Sequence, residues 1–227
     1  MDFTNIAQKS ANVENAGTLV YLDVTVQTND LIWGLAGVYN GTPSLSLSNL
    51  TSQLVGKHEA FGEHVRTDTR YYGVICPEGA AVYLWKAQAD GVARITLQRG
   101  AYNADGPLGD LSLFVLVARP DADHNWKLCV DSYTRGNKRT LRAPVATGNA
   151  IYVVQYAYSS SPPISGLEYE AWLNTIPGQD ENLDDARGTA IKATTSGTAT
   201  IQTSSVYAIA AWADLAQARR RTQIVWV

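Results

Sequence analysis

Between Leu111 and Val117 the chain reads Leu-Ser-Leu-Phe-Val-Leu-Val, which is apolar on both faces of an extended strand. Such a segment is predicted to lie centrally in a sheet, covered on both sides. Much of the remaining sequence alternates instead. In Thr18–Thr28, Val20, Leu22, Val24 and Val26 face one way and Tyr21, Asp23, Thr25 and Gln27 the other. Ala93, Ile95 and Leu97 likewise oppose Arg94, Thr96 and Gln98. A half-buried strand has that period of two. Turn dipeptides punctuate the runs at Asn29-Asp30, Asn40-Gly41, Asp90-Gly91 and Gly148-Asn149. The pattern predicts an all-β fold of two β-sandwich or jelly-roll-like modules.

Three segments carry a family resemblance. They are Lys86-Ala87-Gln88-Ala89-Asp90-Gly91-Val92, Gly109-Asp110-Leu111-Ser112-Leu113-Phe114-Val115 and Gly148-Asn149-Ala150-Ile151-Tyr152-Val153-Val154. Their order resembles the bacterial pre-peptidase C-terminal (PPC) domain over residues 79–173. The resemblance implies a non-catalytic jelly-roll-like sandwich, of a type appended to secreted enzymes and used for binding. The sequence departs from that setting, because it reads as having neither a protease nor an export signal.

The expected modules are therefore 79–177, the PPC-like sandwich, and 1–78 completed by 178–227. That makes the second module an insertion in the first. The alternative is that the late strands, Thr198–Thr203, Val206–Trp212 and Thr222–Val227, pair with a neighbouring subunit. Residues 1–16 are polar and patternless and read as an N-terminal arm. Asn49 to Ala60 is ambiguous, because Leu50, Leu54 and Val55 have helical spacing while Gly56 stops a helix early. A short motif recurs at Gly17-x-x-Val20-Tyr21, Gly79-x-x-Val82-Tyr83 and Gly148-x-x-Ile151-Tyr152. It reads either as a duplicated sandwich or as Gly turns that commonly precede β-rich runs.

Only 17% of the 227 residues are charged and the net charge is −3. Such a balance points to neither a nucleic-acid nor a membrane partner. The start, Met1-Asp2-Phe3-Thr4-Asn5, lacks a basic and then apolar leader, so Sec export is not expected. Cys76 and Cys129 are expected to be buried thiols, with a disulfide as the alternative. An extracellular-looking β-protein without a route of export fits a virion protein, made in the host cytoplasm and released by lysis.

Candidate chemistry is sparse. His58-Glu59-Ala60-Phe61-Gly62-Glu63-His64 gathers two histidines and two carboxylates, but their spacing suits neither a helical nor an extended zinc site, and a solvated loop is expected. Asp121-x-Asp123-x-Asn125 opens like an EF-hand loop, yet Trp126 and Ser132 stand where Gly and Glu are needed. An irregular calcium site there, or at Asp180–Asp185, is the remaining metal reading, and no cofactor is expected. There is no Gly-x-Ser-x-Gly elbow and no phosphate-binding Gly loop. Asn40-Gly41-Thr42 and Asn49-Leu50-Thr51 match glycosylation sequons but read as turns. Arg219-Arg220-Arg221 reads as an exposed turn rather than a nucleic-acid contact.

The aromatics are the predicted binding residues: Trp126, Tyr133, Tyr152, Tyr156 and Tyr158. Exposed rings stack on sugars, and the competing reading packs them between sheets or against a subunit. The expected function is a non-enzymatic virion structural protein, a phage capsid decoration (cement) or tail-associated protein. It would adhere to other virion proteins and to itself as a homo-oligomer. The alternative is a carbohydrate- or matrix-binding module.

Overall fold

The computed structural model describes residues 2–13, 18–67, 69–70, 72–106, 109–134, 139–156, 162–175, 186–203 and 207–216. The N-terminal module holds β1 (Phe3–Val13), β2 (Leu19–Val26), β3 (Leu31–Val38), β4 (Pro43–Ser48), β5 (Ser52–Val65), β6 (Ile75–Ala87), β7 (Gly91–Arg99) and β8 (Leu111–Pro120). The C-terminal module holds β9 (Trp126–Thr134), β10 (Arg139–Val145), β11 (Ala150–Tyr156), β12 (Ile164–Ser165), β13 (Tyr169–Thr175), β14 (Ala186–Ala193), β15 (Gly197–Thr203) and β16 (Tyr207–Leu215).

Each module is a five-stranded sheet backed by a three-stranded one. The first has the orders β1-β8-β3-β6-β5 and β2-β7-β4, the second β9-β16-β11-β14-β13 and β10-β15-β12. Adding eight to each strand number turns the first pair of sheets into the second. The chain is thus a tandem repeat of one jelly-roll-like topology.

Hydrogen bonds fix which residues correspond. Before β3, Asn29 (φ 74°) donates to the Ala87 carbonyl at 2.9 Å, and Ala87 donates to Asp30 at 2.9 Å. Before β11, Gly148 (φ 85°) donates to Ala193 at 2.8 Å, and Ala193 donates to Asn149 at 2.8 Å. Counting on from the two turns makes Trp33 the counterpart of Tyr152 and Lys86 that of Lys192. Strand β5 bulges at Val55, between Leu54 and Gly56. Strand β13 bulges at Trp172, between Ala171 and Leu173. Phe3 opposes Pro120 as Trp126 opposes Leu215. A left-handed turn residue, a docking alanine and a bulge recur together, so the match extends to backbone detail.

The sheets stack in four layers around three cores. Strands β3, β6 and β8 are buried on both faces, as the apolar run at Leu111–Val117 predicts. Ile32, Trp85, Ile95 and Val115 pack between the two N-terminal sheets. Ile151, Ile191, Ile201 and Ala210 do the same in the C-terminal module. Between the modules the five-stranded sheets meet face to face through Leu31, Trp33, Leu84 and Phe114 on one side, and Tyr152, Ala190, Tyr207 and Ile209 on the other. Here β5 lies on β9 and β1 on β13, which are reciprocal contacts. An isologous dimer interface has that form. Trp33 stacks on its counterpart Tyr152 with ring centroids 4.0 Å apart, and Phe3 lies 5.4 Å from its counterpart Trp126. Equivalent residues meet only near a two-fold axis, so the axis runs between these pairs.

Polar contacts are alike but not strictly equivalent: Lys192 pairs with Asp2, one residue ahead of β1, at 2.6 Å, and its counterpart Lys86 pairs with Asp123, three residues ahead of β9. At the β2–β3 turn Asp30 is fully buried and takes a bidentate bond from Arg119 (2.7 and 3.0 Å). The matching turn replaces this charge with Asn149, whose amide donates to Ala213 O at 3.0 Å.

Several expectations need correction. The chain divides serially between Pro120 and Trp126, not by insertion of 79–177 into 1–78 plus 178–227. Strands β6, β7 and β8 complete the N-terminal sheets, and the strands from β14 onward pair with β9 to β13. Pro77, next to the expected boundary between 78 and 79, lies inside β6 past the end of β3. There β6 has a neighbour on one side only, so the missing N–H breaks no ladder on the other. Within the arm expected at 1–16, Phe3–Val13 form edge strand β1, paired with β8 and anchored by buried Phe3. Its polar sequence suits an edge. The ambiguous stretch at 49–60 and the histidine-rich loop belong mostly to β5. The bulge at Val55 shifts the alternation by one residue and imitates helical spacing. Thr222–Val227 and Arg219–Arg221 lie outside the described residues.

Candidate functional site

Of the five aromatics expected to bind, the three whose side chains are described, Trp126, Tyr133 and Tyr152, are buried. Tyr152 is 1% exposed and sits in the core between the modules. Burial without a compensating partner pushes its phenol pKa far up. Trp126 is buried against Phe3, with the His124 ring edge-on at 5.3 Å. Tyr133 is buried in the C-terminal sandwich core, and its hydroxyl meets that of Thr203. These rings pack between sheets because they lie on the covered faces of their strands. Tyr156 ends β11, with its side chain outside what the structure describes, and Tyr158 lies outside the described residues.

Exposed rings occur elsewhere, at one end of the N-terminal module. There the β3–β4 turn, the β5–β6 hairpin and the β7–β8 loop come together. Buried Asn40 (φ 45°) donates to Asn103 O at 2.9 Å and accepts from Asn103 N–H at 3.0 Å. Asn103 in turn donates to Ile75 O at 2.9 Å, and Gly41 N–H donates to Pro77 O at 2.6 Å. The Arg99 guanidinium, buried beneath, caps the carbonyls of Tyr39, Asn40 and Gly109. Arg66 lies over the Tyr39 ring, 5.1 Å from its centroid. These bonds tie three connections into one platform.

Tyr72, 79% exposed, and Tyr102, 50% exposed, stand on this platform. Beside them Val65 faces Ile75 directly across the hairpin, and Phe61 lies four residues back along β5 on the same face. All three are exposed, because the three-stranded sheet does not reach over β5. Exposed apolar and aromatic side chains grouped on a fixed frame mark an interaction surface.

A second exposed group lies on the outer face of the three-stranded sheet. Arg94 bonds Asp23 bidentately (2.8 and 2.8 Å) and lies over the Tyr21 ring at 4.1 Å. The bond from Arg94 holds the Asp23 carboxyl below its usual range. Cross-strand neighbours Thr96, Ser46 and Ser48 surround the group.

A cleft of about 310 Å³ opens where the modules join, lined by Gln53, Val55, Lys86, Asp123, His124, Asn125 and Trp126. Along the same seam His58 bonds Ser132 of β9 at 2.6 Å. Burial lowers the His58 pKa, against a smaller upward pull from Glu59. Among the described residues no three His, Cys, Asp or Glu side chains gather as a metal site. Cys76 is buried and Cys129 half-buried, and no disulfide joins them. Asn40 and Asn49 are left-handed turn residues.

Comparison with protein-family models, curated proteins and solved structures gives no match.

Proposed function

We propose that the chain is a non-enzymatic virion structural protein, a capsid decoration or tail-associated component that adheres to other virion proteins and to itself. The observation that carries this reading is the apolar and aromatic group at Phe61, Val65, Tyr72, Ile75 and Tyr102. It is held on a hydrogen-bonded platform at the end of a four-layer body. A surface ordered before contact loses little conformational entropy on binding. Tyrosines supply large contact area with few rotatable bonds.

The test is co-sedimentation of the purified protein with capsids and tails isolated from lysates of the virus that encodes it. Saturable association, lost in a Tyr72→Ser/Ile75→Ser variant that melts normally, supports the reading. No association with either particle defeats it. The second reading, a carbohydrate-binding module, is favoured by the Tyr21–Arg94–Asp23 group, whose ring and fixed polar atoms suit a flat sugar chain. Specific binding on a glycan array, abolished by Arg94→Ala, supports that alternative.

A further inference from the structure

Strand β5, at 14 residues the longest described, lies at an edge and pairs with β6 alone among the described residues. Strand β9, on which β5 lies, is also the edge of its own sheet, so both layers stop on this side. A bare edge offers a row of backbone donors and acceptors to another strand, and proteins blunt it with charged or polar sequence. Strand β1 follows that rule and β5 follows it less. Leu54, Phe61 and Val65 of β5 are exposed, against Ile6 on β1, Tyr169 on β13 and no large apolar side chain on β9 among the described residues. Because Val55 is bulged, Leu54, Lys57, Glu59 and Phe61 follow one another on one face, opposite Trp85, Tyr83, Ala81 and Gly79 of β6. Leu54 and Lys57 precede His58, and Glu59 and Phe61 follow it. Turned end for end about His58, this face sets lysine against glutamate and leucine against phenylalanine.

We propose that β5 pairs antiparallel with β5 of a second copy of this chain, about a two-fold axis at His58, so that two five-stranded sheets join into one of ten strands. Each Lys57 then stands opposite Glu59 of the second copy, and each Leu54 opposite Phe61 of the second copy, so every pair forms twice. Opposite charges directly across a ladder attract and like charges repel. Within one chain Lys57 and Glu59 already touch at 3.3 Å, with the Tyr83 hydroxyl donating to the same carboxylate. Lys57 is 55% exposed, which makes that contact a weak one. Pairing does not break it but extends it to four charges of alternating sign around the axis. A two-fold contact between copies requires a self-complementary surface, and a partner of other sequence has no use for one. The inference rests on the self-adhesive part of the proposed function and gives that contact a place. Tyr72 and Ile75, on which the particle test turns, lie outside β5.

Light scattering of the purified full chain over a range of concentrations reads the mass in solution. The expected species is a dimer of twice 24.6 kDa. Lys57→Glu sets glutamate against glutamate, and Glu59→Lys sets lysine against lysine. Each single variant should therefore dissociate about tenfold more readily than the wild type. Mixing the two single variants should restore the dimer, because each supplies the charge that the other lacks. The double variant Lys57→Glu/Glu59→Lys should dimerise like the wild type. Thermal melts establish that every variant is folded. A wild type that stays monomeric at every concentration overturns the proposal. Single variants that dimerise like the wild type overturn it too, by moving the contact to another face, as does a mixture of them that stays monomeric. A dimer that binds neither capsids nor tails strikes the particle reading alone, and a monomer that binds them strikes the self-pairing alone.

Discussion

Trp33 and Tyr152 occupy the same place in the two repeats, and they stack on each other, 4.0 Å between centroids, across the seam between modules. Both are buried, and the Tyr152 hydroxyl has no hydrogen-bond partner there. Tyr152→Ala should cost about 3–5 kcal/mol, as large aromatic truncations in cores do. Tyr152→Phe should instead stabilise the protein by about 1 kcal/mol, since it removes an unsatisfied buried group and keeps the ring. Urea melts followed by tryptophan fluorescence measure both.

The Asp30–Arg119 pair is the charged version of a turn that its repeat builds from neutral Asn149. Arg119→Leu strands a fully buried carboxylate. The cost should be about 2–3 kcal/mol, below the 3–5 kcal/mol of a fully buried pair, because Arg119 stays partly in water. Adding Asp30→Asn should recover most of that loss by copying the second turn. Thermal melts of the two single variants and the double variant form the cycle that decides it.

Acid should loosen the seam at His58. Its folded pKa is depressed by burial, so the neutral ring bonded to Ser132 is favoured in the folded state. This stabilisation is full above the unfolded value of about 6.5 and is lost as the pH falls from there through the lower folded value. The melting temperature of the wild type should therefore fall more steeply than that of His58→Gln between about pH 7 and pH 5. Equal slopes would remove His58 from the account.

Serine at Tyr72 and Tyr102 should leave stability within about 0.5 kcal/mol, because both are solvent-exposed. The same change should abolish particle association. Arg99→Ala should do the opposite first. It uncaps the carbonyls of Tyr39, Asn40 and Gly109 and should lower the melting temperature, with loss of binding as a consequence. Melting curves and co-sedimentation of the same preparations separate the two effects.

Much of the β architecture was legible because alternation at Val20–Val26 and Ala93–Leu97 has one physical meaning. The repeat was visible only in fragments. Lys86-Ala87, Gly91, Ala93 and Ile95 reappear as Lys192-Ala193, Gly197, Ala199 and Ile201, but connections of unequal length destroy a constant period. The motif that suggested duplication, Gly-x-x-Val/Ile-Tyr, falls at non-equivalent places in β6 and before β11. The aromatics misled for a different reason. Tyr152 alternates correctly, yet alternation does not say whether a sheet's other face meets water or a second sheet. Tyr72 and Tyr102 lie in connections, where no periodicity marks them. Tyr102 had one signal, a setting rich in Gly, Asn and Asp.

A symmetric homodimer inherits every substitution twice and comes apart on dilution. Here the two partners share one polypeptide, so their local concentration never falls and neither copy must obey the other. Valine stands on one bulge where tryptophan stands on the other, and aspartate holds one turn where asparagine holds the second. Each half has been able to change without asking its twin to change in the same way.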